Sequence, residues 1–120
     1  MSTIKANDIQ NTSGGIPTVK GQDLIPKAWV NFSQSTNTIR DSENISSLTD
    51  IAAGNTNVNF TIAMNDALYA TAVMGVPSVV HLHNHTYCWL NTTTYIRAVH
   101  WENNAAVDTV ALNVVVLGGQ

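Results

Sequence analysis

Asn57-Val-Asn-Phe-Thr-Ile62 carries the clearest structural pattern of the chain. Val58, Phe60 and Ile62 alternate with Asn57, Asn59 and Thr61, so one face is apolar and the other carries amides and a hydroxyl. That period of two is the mark of a half-buried strand. Ala53-Gly-Asn-Thr56 before it and Asn65-Asp66 after it supply turn chemistry. Upstream, Ala28, Val30 and Phe32 alternate with Trp29 and Asn31 in the same way. Between them, Ile39 to Leu48 holds shorter alternation around Ile45 and Leu48, with a break expected at Asp41-Ser42. Downstream, the Ala, Leu and Met content of Ala63 to Met74 suits a helix capped by Asn65 or Asp66. Yet Tyr69, Thr71 and Val73 alternate with Leu68, Ala70 and Ala72, and Gly75-Val76-Pro77 ends the run, so the segment is read as a strand. Val79 to Leu90, Thr92 to Trp101 and Asp108 to Leu117 follow. Val110 to Leu117 is apolar on both faces, which predicts a central strand or one buried against another subunit. Roughly seven short strands joined by Asn, Gly and Ser turns predict an all-β domain, an antiparallel β-sandwich or barrel-like domain.

Composition bounds the rest. The chain has 120 residues, 44% hydrophobic and 11% charged, with a formal net charge of −3. That length suits one domain rather than two. The charged share is under half the roughly 25% usual for soluble domains, and 14 Asn, 14 Thr and 8 Ser take its place. Few charges leave sheet edges without electrostatic protection, so a partner or closure is expected to cover them. Residues 1–26 differ from the remainder: Ser13-Gly14-Gly15, Pro17, Gly21 and Pro26 interrupt any period, and isolated Ile4, Ile9 and Ile16 offer anchors. This composition predicts an extended N-terminal arm that docks on a neighbouring protein, followed by a β-domain at 27–120.

Several function classes are excluded at this level. Five Lys and Arg spread from Lys5 to Arg97 give no footprint for nucleic acid or anionic lipid. No apolar run approaches the roughly 20 residues that span a bilayer, so no membrane partner is expected. Met1 to Asp8 lacks the apolar centre of a signal peptide, and Cys88 is the single cysteine, so the expectation is synthesis in a reducing cytoplasm without disulfides. The sequons at Asn11, Asn31, Asn44, Asn59, Asn84 and Asn91 are then products of composition.

No hydrolase, nucleotide-binding or metalloprotease motif is present, and Glu43 and Glu102 are expected in turns, so no catalytic residue and no cofactor is assigned. Cys88, between Tyr87 and Trp89, reads as a small buried hydrophobe. His81, His83 and His85 share one strand face, and on a threefold axis they could gather around a metal. An outward, solvated face needs no partners, so no metal is expected. His100 is read as a lone structural histidine, and Trp29, Trp89, Trp101, Tyr69, Tyr87 and Tyr95 as core or interface, with a carbohydrate-stacking platform as the alternative.

Trp29-Val-Asn-Phe32, Ile39-Arg-Asp-Ser-Glu-Asn-Ile-Ser-Ser-Leu-Thr-Asp50, Gly54, Val58-Asn-Phe60 and Ala63-Met-Asn-Asp-Ala-Leu-Tyr-Ala70 together resemble a known module. It is the small W-V-N-F β-domain of tailed bacteriophages, cyanophages among them, found in tail-fibre and other virion structural proteins. The leader Thr3 to Val19 resembles N-termini of the same proteins. Many relatives carry proline where this chain has Asn65, and Val76 to Trp89 matches nothing in the family. The His-x-His pair is similar to an iron-binding element of some trimeric phage fibres, over three residues only. The resemblance implies a non-enzymatic virion protein, a homotrimer, with no catalytic residues to carry over. An arm and one compact domain leave no room for a fibre shaft. The expected role is a capsid decoration (cement) protein whose arm docks on the major capsid protein lattice or another virion protein. A tail-fibre or tail-tip host-binding module is the alternative, and a carbohydrate-binding module the second.

Overall fold

In the computed structural model, residues 2, 3, 5, 12, 13, 25–77 and 83–119 are described. The arm expected at 1–26 therefore lies almost entirely outside the described residues. The described residues form nine strands, in order: β1 Pro26–Ser33, β2 Thr38–Glu43, β3 Ile45–Ala52, β4 Asn55–Phe60, β5 Ala70–Val76, β6 Asn84–Asn91, β7 Tyr95–Glu102, β8 Ala105–Ala106 and β9 Ala111–Leu117. Among the described residues there is no helix. All pairings are antiparallel, in two sheets ordered β2-β1-β9-β5 and β3-β4-β7-β6, with β8 added to β7. The two sheets pack face to face, so the all-β class expected from the sequence is the fold observed, and of its sandwich and barrel-like alternatives it is the sandwich.

The alternations read in the sequence point as they should. Ala28, Val30 and Phe32 from β1, Val58 and Phe60 from β4, Ile96 and Ala98 from β7, and Leu112, Val114 and Val116 from β9 are buried and form one core. Each large side chain removed from water there contributes about 1.5–3 kcal/mol. Tyr69 closes one end of the core. Its ring meets Phe60 edge-on at 5.9 Å, and its hydroxyl donates to the Thr92 carbonyl at 2.8 Å.

Four local expectations need correction. The break between β2 and β3 falls at Asn44, while Asp41 and Ser42 continue β2. Asn44 turns left-handed, with φ 57°. Its amide donates to the carbonyls of Lys27 and Ile62, and its Oδ1 accepts from the Ile62 backbone N–H. Ile62 itself lies beyond β4 and is exposed. Residues 61–69 form an irregular connection, so β5 begins only at Ala70. Pro26, assigned to the arm, opens β1.

Val110 to Leu117 does yield a central strand: β9 is hydrogen-bonded to β1 on one side and β5 on the other. Both ladder edges are thus used within the chain. Among the described residues, β2 and β5 stand at the edges of one sheet and β3 and β6 at the edges of the other.

Candidate functional site

Edge strand β6 presents the chemistry. Asn84, Thr86 and Cys88 turn inward and are half-buried, while His85, Tyr87 and Trp89 turn outward and are exposed. The ladder with β7 runs to Cys88 opposite Ala98 and resumes at Asn91 opposite Ile96, so Trp89 and Leu90 together face Arg97. This is a one-residue bulge, a device that re-aims side chains at sheet edges. Strict alternation would turn Leu90 inward. The bulge leaves both residues outside, with Trp89 68% and Leu90 40% exposed.

The register sets ordered rows across this outer face. Tyr87 lies beside Val99 and then Asn55, while Arg97 lies beside Asn57 and then Thr49. Tyr95 lies beside Asn59 and then Ser47. Aromatic rings therefore line the β6–β7 side, and amides and hydroxyls line the β4–β3 side. The polar groups are tied in place. Arg97 Nε donates to Asn57 Oδ1 at 2.9 Å, and Asn59 Nδ2 donates to Ser47 Oγ at 3.0 Å and Thr49 Oγ1 at 2.9 Å. Arg97 is the one Lys or Arg in this sheet. Among the described residues no carboxylate shares its face: Glu102 is buried on the inner side, and Asp50 pairs with inward Thr56.

Directly beneath lies a buried polar network. Thr86 Oγ1 and His100 Nδ1 are 2.7 Å apart, and His100 Nε2 lies 3.1 Å from Glu102 Oε1. His100 is fully buried and Glu102 nearly so. Room for the imidazole comes from Gly75 of β5, where a Cβ would stand 2.6 Å from both His100 Nδ1 and Thr86 Oγ1. Hydroxyl, imidazole and carboxylate stand in the order of an acid–base relay, but the imidazole has no surface for a substrate to reach. The network instead satisfies buried polar groups where the two sheets meet, a role that specifies one packing. His100 is thus not a lone histidine, and Glu102 is a strand residue rather than a turn residue.

The other residues singled out in the sequence fall as follows. His85 is exposed on the outer face of β6; His83 is exposed but precedes the strand, so it does not share a strand face with His85 as expected, and His81 lies outside the described residues. Among the described residues no three His, Cys, Asp or Glu gather closely enough to hold a metal. Cys88 points inward. Burial pushes its thiol up, partly offset by a hydrogen bond with the Thr71 side chain. The Tyr69 phenol is pushed far up by burial, against the opposing hydrogen bond to the Thr92 backbone. Trp29 stands on the opposite outer face, in a row with Glu43, Val115 and Ala72. Sequence reasoning missed the bulge, because alternation alone does not reveal an inserted residue, and it missed the Arg97–Asn57 pair, which only register creates.

Fold and faces together define a class: a small, charge-poor antiparallel β-sandwich with a half-apolar outer face on each sheet. No protein-family model matches the chain, and neither a curated protein nor a solved structure does.

Proposed function

We propose that the chain is a non-enzymatic structural protein of a tailed-bacteriophage virion, a homotrimeric capsid decoration protein that attaches to the capsid lattice through its N-terminal arm. The observation that carries this reading is where the Trp-Val-Asn-Phe segment sits. Val30 and Phe32 fill the core, while Trp29 and Asn31 stand on the outer face of the β2-β1-β9-β5 sheet. There Trp29 adjoins Val115 and Ala72, with Leu117 beside Ala70 and Met74 beside Asn113. Met74 is 67% exposed. A half-apolar face of this kind on a chain with few charges suits burial against another subunit.

β9 has no free ladder edge, so subunits meet through this face rather than by adding strands to the C-terminal segment. Light scattering should give three times the chain mass for the wild type and one for Trp29→Asp with its fold intact. A monomeric wild type would sink the trimer. On particles, a copy number on the scale of the capsid subunits supports decoration, whereas one on the scale of the tail supports the fibre alternative.

A further inference from the structure

We infer that the outer face of the β3-β4-β7-β6 sheet is a saccharide-binding platform that takes a sugar bearing a carboxylate, with Trp89 as the stacking surface and Arg97 as the anion contact. This face is opposite the proposed subunit interface, and the inference does not rest on the virion reading.

Three features select this occupant. First, the bulge spends an inserted residue on holding Trp89 and Leu90 in solvent beside Arg97, instead of turning one of them into the core. A large ring kept outward at that cost is a contact surface. Second, three neighbouring rows of the face run toward amides and hydroxyls, Tyr87 to Asn55, Arg97 to Thr49 and Tyr95 to Ser47. A pyranose has the matching form: an apolar C–H face to lie on an indole and a rim of hydroxyls to meet Asn57, Asn59 and Thr49. A protein partner with a continuous apolar surface would leave those amides facing carbon. Third, the charge is of one sign. The chain is acidic overall, yet Arg97 stands on this face with no carboxylate among the described residues to neutralise it.

The Asn57 contact engages Arg97 Nε alone. Its two terminal nitrogens make no hydrogen bond among the described residues and form the fork that receives a carboxylate through two parallel bonds.

The test is equilibrium binding of the purified full chain to an array of acidic and neutral oligosaccharides, followed by titration with oligogalacturonate and with its methyl ester, which keeps the sugar and removes the charge. The expected result is binding to uronate- or sialate-bearing sugars, with oligogalacturonate tighter than its ester. Trp89→Ala should weaken both at least about tenfold. Arg97→Gln should abolish the preference for the acid while leaving the ester within about threefold. Circular dichroism of each variant should match the wild type, since both side chains lie on the solvent face. Tyr87→Ala, at the edge of the same strip, gives a second measure of stacking. Failure of every sugar on the array to bind, or binding indifferent to Trp89→Ala, would overturn the proposal. Binding that responds to Trp89→Ala but not to Arg97→Gln would overturn the anionic half of it. None of these outcomes depends on oligomeric state or particle attachment.

Discussion

Gly75→Ala is a small change with a large expected effect. The new methyl carbon would stand 2.6 Å from His100 Nδ1 and 2.6 Å from Thr86 Oγ1, with His100 Cε1 at 3.0 Å. Such separations are far inside van der Waals contact. The imidazole cannot retreat freely, because His100 has no exposed surface and its other nitrogen is held by Glu102 at 3.1 Å. Overpacking a filled core costs about 1–3 kcal/mol. Separating Thr86 from His100 leaves buried polar atoms unpaired, at a further ~1–3 kcal/mol. Together these give a loss of about 2–6 kcal/mol, and for a domain of this size a fall in Tm of roughly 10–30 °C. Thermal and urea unfolding followed by circular dichroism would measure it. Thr86→Ala removes one of the two colliding atoms, so the double variant G75A/T86A should be destabilised by less than the sum of the singles, with a coupling of at least about 0.5 kcal/mol. A Gly75→Ala protein whose Tm falls by no more than about 3 °C, or strict additivity in the cycle, would refute the network as the element that fixes this corner.

Val114→Asp places a carboxylate on β9 in a site 1% exposed, where an unpaired charge costs several kcal/mol, and should leave no cooperative unfolding transition. A folded V114D protein by circular dichroism would contradict that burial. Gly54→Ala should destabilise by at least about 2 kcal/mol, because φ is +67° there and the added carbon would stand 2.7 Å from the Val107 backbone nitrogen; chemical unfolding reads it directly. Alkaline pH should destabilise the fold. Burial raises Cys88 above its ordinary 9.0 and Tyr69 above 10.0, so their contribution is intact below about pH 9 and is lost as pH rises past it, since the unfolded chain releases those protons first. Cys88→Ala should flatten the first part of that loss, and an unchanged pH profile would contradict it.

Much of this architecture was legible because alternation and burial coincide. In β1 and β4 the apolar residues recur at every second position and face the core, so Ala28, Val30, Phe32, Val58 and Phe60 follow from the alternation alone, whereas Thr56 shares that face as a buried polar residue. The two-faced run before Leu117 announced a strand flanked on both sides. What escaped depended on contacts distant in sequence. Asn44 ends β2 because its amide reaches Lys27 and Ile62, not because of anything in its neighbours. The irregular path from Thr61 to Tyr69 is held by long-range bonds such as Asn65 N–H to the Gly119 carbonyl at 2.9 Å. His100 and Glu102, two apart on one strand, carried a signal of a shared face, but their burial followed only from Gly75 on another sheet making room. The exposed strip at Trp89 and Leu90 was hidden for a related reason: the bulge inserts a residue, and the period then misassigns one side chain.

Quantitative mass spectrometry of virions purified from the lysate in which this chain is made tests the central claim most directly. A decoration protein is expected in the particle at a copy number on the scale of the capsid subunits; its absence from purified particles would overturn the virion role.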